Sequence, residues 1–215
     1  MSRLVSLLSK EPLTLIVKLP ENSVEMAKTS EESGAGAICL NYSDDKDTLR
    51  EIINSVKIPV GMALDENILT EEEMKDFKKL GFDFIDIPSN DAPDHLLKIG
   101  GFGRILSLDS DYSEIDLTKL SDRPIDGLDA AVIMPEDWGK ELTVGDLQQY
   151  ITIAMSTMLP VVVPAQKSIR ASEVPIIWDT GAKGIMIGKT IIGDNVQSMK
   201  AVIKEYRSAL GTIKQ

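Results

Sequence analysis

Apolar and β-branched residues along the chain fall into eight short runs. Each is bounded by turn-forming residues and followed by a stretch whose apolar positions recur at helical spacing. The runs predict strands over 13–19, 37–42, 58–64, 82–87, 103–109, 128–134, 160–164 and 184–188. Between them, Asn22 or Ser23 caps a helix that runs to Ser33 and stops at Gly34, and Thr70 with Glu73 forms a capping-box pattern that closes at Gly81. Helices are also predicted over 143–158 and 195–210, with shorter ones over 45–56 and 92–99. The segment 110–126, with Leu117, Leu120 and Pro124 among many acids, predicts one helical turn or none.

Strand starts fall roughly 20 to 33 residues apart, the size of a βα unit with short loops. Eight such units imply a parallel sheet with right-handed crossovers, and their number favours closure into a compact (β/α)8 TIM barrel over an open doubly wound sheet. The first turn, Lys18-Leu19-Pro20-Glu21-Asn22, carries none of the glycines of a dinucleotide-binding fold. No linker or composition break divides the chain, so residues 1–215 read as one domain.

Composition narrows the chemistry. With 34 acids against 23 bases the net charge is −11, which disfavours nucleic acid as a partner. No apolar run is long enough to span a bilayer, and residues 1–10 lack the pattern of a signal peptide. One cysteine, Cys39, permits no internal disulfide, so the expected setting is reduced and cytoplasmic. Oligomeric state is left open.

In a barrel of this kind the active site lies at the C-terminal ends of the strands. The polar residues expected there are Lys18, Asn41, Asp65, Asp86, Ser107 with Asp109, Glu136, Gln166 and Lys189. Alternation puts Gly61, Ala63 and Asp65 on the inward side of the third strand, and pairs Phe84 with Asp86 and Ser107 with Asp109. Lys18 and Asp86 stand out, because a charge late in an apolar strand is costly unless paired, hydrated or used. A Lys18 ion pair with Asp65 or Asp86 that merely closes the barrel mouth is the structural alternative.

The stretch Thr180-Gly-Ala-Lys-Gly-Ile-Met-Ile-Gly-Lys-Thr-Ile-Ile-Gly193, after Pro160-Val-Val-Val-Pro-Ala-Gln-Lys-Ser168, resembles the last quarter of the phosphate-binding TIM barrels. That group includes flavin-dependent oxidoreductases, indole-glycerol-phosphate synthase and thiamine-phosphate synthase. Gly181, Gly184 and Gly188 match its apolar eighth strand, which ends in glycine before a short helix. The resemblance implies that the amides of Gly188 and Lys189 hold a phosphate, belonging either to a substrate or to the tail of FMN. Glycine allows close backbone approach to an anion, and a helix start favours negative charge. The chain departs from the group after the seventh strand, where Ala165-Gln166-Lys167-Ser168 replaces the usual Gly-Gly pair. There either Lys167, Ser168 or Arg170 supplies side-chain donors instead, or the loop holds another carboxylate or no anion at all.

His95 is the sole histidine, which excludes a site of two imidazoles and makes a Ser-His-Asp route improbable; a surface position is expected for it. An oxygen-rich Mg²⁺ site from Asp65, Asp86 or Asp109 is the one metal chemistry left open. Lys18 is the sole interior lysine candidate for a Schiff base, Cys39 reads as a buried hydrophobe, and Trp138 is placed to cover a ligand or to pack. The expected function is binding of a small phosphorylated metabolite with acid–base chemistry of isomerase or lyase type. In it Lys18, Asp65 and Asp86 are catalytic, and Asn41, Asp109, Glu136, Gln166, Lys167, Gly188 and Lys189 contact substrate. An FMN oxidoreductase and a non-catalytic ligand-binding barrel are the alternatives.

Overall fold

The computed structural model describes residues 2–65, 69–88, 92, 97–112, 117–120 and 122–213. Eight strands form one closed parallel barrel in chain order: β1 (Thr14–Lys18), β2 (Ala37–Asn41), β3 (Val60–Ala63), β4 (Phe84–Pro88), β5 (Gly103–Ser107), β6 (Gly127–Asp129), β7 (Val161–Pro164) and β8 (Gly184–Ile187). Around and beside them lie α1 (Arg3–Lys10), α2 (Val24–Glu32), α3 (Lys46–Ser55), α4 (Glu71–Leu80), α5 (Leu117–Leu120), α6 (Val144–Ser156), α7 (Val174–Asp179), α8 (Lys189–Ile192) and α9 (Val196–Leu210). The α/β TIM barrel expected from the pattern is the fold. No helix among the described residues is long and apolar enough to cross a membrane.

Local chemistry accounts for the helix ends. The Ser23 hydroxyl accepts from the Met26 amide at the start of α2. Reciprocal capping boxes open α4 (Thr70 with Glu73) and α6 (Thr143 with Asp146), and Gly81 closes α4 at φ +101°, a conformation that penalises a Cβ. Each cap supplies an acceptor to amides that the helix itself leaves unpaired.

The core has two shells. Inside the barrel, Ile16, Ala37, Cys39, Ala63, Phe84, Ile105, Val162 and Met186 pack with Leu4 and Leu8 of α1. A larger shell fills the space between the outer faces of the strands and the helices. Parallel register explains the inner shell, since Ile16 pairs with Ala37 and Met186, Ala63 with Asp86, and Asp86 with Ile105, so their side chains share the inward face. Gly61 is glycine because Phe84 fills the axis: a Cβ there would stand 2.2 Å from the Phe84 ring.

α1 closes the N-terminal end of the barrel. Leu4 and Leu8, one turn apart, are fully buried against the interior shell. The Asp83 carboxylate, at the foot of β4, accepts from the Ser2 hydroxyl at 2.7 Å and from the Arg3 and Leu4 amides at 2.9 Å each. A side chain from across the barrel thus satisfies the free amides that begin α1.

All eight strands differ from the pattern reading by a residue or more at one end or both. β3 is shorter than 58–64 and β5 ends at Ser107 rather than Asp109. β6 ends at Asp129 rather than at Met134, because the chain leaves the sheet after Ala130, whose amide still donates to Val162. Ala130, Val132 and Ile133 remain buried, but as irregular backbone. The helix expected over 92–99 falls largely outside the described residues, and within 110–126 the described helix is the single turn α5.

Candidate active site

At the C-terminal ends of the strands opens a cavity of about 400 Å³, lined from β1, β4, β5, β6, β7 and β8 and the loops that follow them. Lys18, Asp65, Asp86, Ser107, Asp129, Gln166, Gly188 and Lys189 all face it, with Trp138 and Thr190 at its rim. A groove of about 550 Å³ lies beside α1 at the other pole, between Ser2, Arg3, Lys57 and Pro59, and includes no strand-end acid. The polar strand-end side chains gather at the C-terminal face.

Lys18 is the last residue of β1 and its ammonium donates to Asp65 at 2.8 Å. Asp65 follows β3 in the left-handed region at φ +48°, the sole described non-glycine residue there. Burial pulls the Lys18 ammonium down, but the Asp65 hydrogen bond and the charges of Cys39, Asp65 and Asp86 outweigh it and raise its pKa. Lys18 is therefore a fixed cation rather than a neutral amine. Gly188 lies alongside: a Cβ built on it would stand 3.7 Å from the Cβ of Lys18.

Asp86 and Asp129 occupy the floor. Asp86 is 8% exposed and Asp129 2%, and each keeps one carboxyl oxygen, Oδ1, with no hydrogen-bond partner. Burial pushes Asp86 up to about 6, opposed by the Lys18 charge and by a hydrogen bond from Asp129. The same burial, with the adjacent Asp86 charge, raises Asp129 well above the carboxylate range. Of the two, Asp129 holds its proton to the higher pH. The floor thus sets side by side two carboxyls whose proton affinities are both raised by burial, under the influence of the Lys18 ammonium.

The remaining sequence candidates divide. Gln166 lies on the cavity wall, its Oε1 accepting from the Ile133 amide at 3.1 Å and its carbonyl from the Gly139 amide at 2.7 Å. Those bonds anchor the loop that carries Trp138, whose indole donates to the Ile133 carbonyl at 2.9 Å. Lys189 opens α8 directly after Gly188, where the first amides of a helix have no acceptor within it. Asn41 shares the inward face of β2, but its side-chain amide donates to the Leu19 carbonyl at 2.8 Å and it does not line the cavity.

Asp109 lies two residues past β5 and accepts from the Asp111 amide at 2.9 Å, and Glu136 is exposed on a short 3-10 turn; neither lines the cavity. Lys167 turns away from the mouth into a buried ion pair with Asp146 of α6, at 3.3 Å, so it stitches the β7 loop to a helix start instead of presenting a donor to the cavity. His95 lies outside the described residues. Asp65, Asp86 and Asp109 do not converge, since Asp65 is held by Lys18 and Asp109 stands outside the cavity, so a Mg²⁺ site made of these three does not fit. Among the described residues no other group of three or more His, Cys, Asp or Glu is arranged to hold a metal ion.

Asp129 is absent from the sequence candidates. Reading the sixth strand over 128–134 put it at the wrong end of the strand, whereas it is the last residue of β6. The signal was present: an acid between Leu128 and Ala130 is as costly in an apolar run as the one between Ile85 and Ile87.

No protein-family model matches the chain, and no curated protein sequence matches it. Solved structures do. A tryptophan synthase structure from Mycobacterium tuberculosis superposes with a TM-score of 0.76 at 15% identity, covering 97% of this chain and 98% of the other. Thiamine phosphate pyrophosphorylase from Pyrococcus furiosus gives 0.68 at 16% identity over 94% and 96%. Phosphoribosyl anthranilate isomerase from Thermus thermophilus gives 0.71 at 9% identity over 94% and 100%. The likeness to these barrels is one of fold and spans nearly the whole chain.

Proposed function

We propose that this barrel is an enzyme of isomerase or lyase type that binds a small phosphorylated metabolite at its C-terminal face and moves a proton with the Asp86–Asp129 pair. The observation that carries the reading is the pair itself: two buried carboxyls, each with an oxygen lacking a protein partner, beneath a cavity that also holds Lys18 and Gly188. Unpaired buried polar atoms cost stability, and a site that binds a polar group there offsets that cost. Neighbours in fold whose names include a phosphate ester or a phosphoribosyl group support the choice of ligand class.

In this reading the amides of Gly188 and Lys189 hold the phosphate. Asp86, ionised above about pH 6, takes a proton from the substrate carbon or hydroxyl. Asp129 donates one to the oxygen that becomes basic, and the Lys18 ammonium offsets negative charge as it develops. Asp65 holds Lys18 in place and is the second carboxylate within reach of its proton.

A panel of phosphorylated aldoses, ketoses and enol precursors in deuterated water, followed by NMR, tests the reading. The expected result is deuterium entry into one ester, slowed at least about a hundredfold in Asp86→Asn and Asp129→Asn while both variants still bind the ester. Binding without exchange across the panel would leave a non-catalytic ligand-binding barrel. A purified protein that retains FMN would replace proton transfer by hydride transfer.

A further inference from the structure

Gln166 holds both ends of the rim loop that carries Trp138. Its side-chain Oε1 accepts from the Ile133 amide at 3.1 Å, and its main-chain carbonyl accepts from the Gly139 amide at 2.7 Å. Between those two points the Trp138 indole donates to the Ile133 carbonyl at 2.9 Å, so the ring hangs from the same residue that the glutamine pins. Trp138 and Gln166 both line the cavity, and Trp138 is 55% exposed. An indole that open to water is held by its hydrogen bond more than by packing.

The Ile133 bond also fixes which way the side-chain amide points. An N–H donates to the oxygen, so Oε1 faces Ile133 and Nε2 takes the other edge. There its two N–H groups have no protein partner among the described residues. Other donors on the β7 loop are already engaged. The amides of Ala165, Gln166 and Ser168 donate to the carbonyls of Met186, Pro164 and Lys140 at 2.8 Å each, and that of Ile169 to Lys167 at 2.9 Å. The Lys167 ammonium is drawn to Asp146. Of residues 165–169 only Ala165 and Gln166 line the cavity, so Nε2 is the side-chain donor that this loop, without a Gly-Gly pair, presents to a ligand.

From this arrangement we infer that Gln166 is a positioning residue that couples ligand binding to the Trp138 loop. One edge of its amide donates to an oxygen of the bound ligand, while the other holds Ile133 and, through it, the indole. The inference rests on the reading that a phosphorylated metabolite occupies this cavity. A ligand oxygen on Nε2 polarises the amide and strengthens its acceptor edge, so the Ile133 bond tightens when the site fills. Coupling is reciprocal: a loop held in place keeps the glutamine turned toward the ligand, and binding gains what the loop gains. Trp138 is therefore held more firmly with ligand than without it.

Two substitutions separate the two edges. Gln166→Glu keeps an oxygen for the Ile133 amide and replaces the Nε2 donors with a second carboxylate oxygen, which repels a phosphate. Gln166→Leu fills similar space and removes both edges. The test uses the full chain carrying Trp178→Phe as parent, which leaves Trp138 as its sole tryptophan, with inorganic phosphate as the probe. Calorimetry reads phosphate binding, and acrylamide quenching of fluorescence reads the exposure of Trp138. Phosphate should lower quenching in the parent. Gln166→Glu should be quenched no more than the parent without phosphate, yet bind phosphate at least about tenfold more weakly. Gln166→Leu should be quenched more readily from the start, and phosphate should not change it. A glutamine that only braced the loop would leave phosphate binding by the Glu variant unaltered. Equal binding by all three proteins, or binding that leaves Trp138 quenching unchanged in the parent, overturns the proposal alone. No phosphate binding by the parent overturns it together with the reading on which it rests.

Discussion

The Lys18 ammonium stands 2.8 Å from the Asp65 carboxylate, and Asp65 reaches that position with a backbone φ of +48°. The pair joins the ends of β1 and β3 at the rim, where half-exposed charges contribute about 0–1 kcal/mol. Left-handed backbone at a residue with a Cβ costs about as much. Position 65 therefore balances a small gain against a small strain.

That balance predicts different outcomes for two small substitutions. Asp65→Gly loses the ion pair but also the strain, so its stability should stay close to wild type. Asp65→Ala loses the pair and keeps the strain, and should be less stable than the glycine variant by about 1 kcal/mol. Urea unfolding measures the difference; equal midpoints for the two variants would exclude strain at this position.

The buried carboxyls predict a stability that declines with pH. Asp86 rises from 3.8 to about 6 on folding, and Asp129 rises further in the same direction. A carboxyl that holds its proton more tightly in the folded chain favours folding at low pH, and that advantage is lost as pH climbs from near 4 through 6. Asp129→Asn cannot ionise in either state. It should be more stable than wild type at pH 7, with the gap narrowing as pH falls toward 4. Thermal or urea denaturation of both proteins across that range provides the check, and a constant gap would refute the linkage.

Lys18→Met should move the Asp86 titration. The Lys18 charge is the main influence that holds Asp86 down against burial, so its removal should carry the ionisation above about 6. Carboxyl-carbon NMR of the variant reads the shift directly and needs no substrate. An unmoved midpoint would mean that the ammonium and the floor do not interact.

Asp83→Ala should loosen the plug at the opposite pole. It removes acceptors from the Ser2 hydroxyl and from the Arg3 and Leu4 amides together. The expected cost is about 2 kcal/mol, with faster amide hydrogen exchange confined to α1. Uniformly faster exchange would instead place the loss in the barrel as a whole.

The eight-fold pattern and the inward alternation of β3 and β4 were legible because period-two burial and chain order set them locally, whereas the choice between Asp65 and Asp86 as the ion-pair partner of Lys18 needed the folded rim. Strand ends were not. The apolar run after Asp129 stays buried beyond the sheet, and burial without alternation cannot tell a strand from packed irregular backbone, which is how one half of the floor pair escaped the sequence. Lys167 illustrates a second limit: a lysine in a loop next to an expected anion site reads as a ligand until its partner, Asp146, is brought to it by tertiary packing.

Leu4 and Leu8 stopper the barrel at its N-terminal pole, so the strand-end cavity lies wholly on the far side of the packed interior from α1. A change on the outer surface of α1 should therefore leave the shape of that cavity untouched as long as the two leucines stay seated.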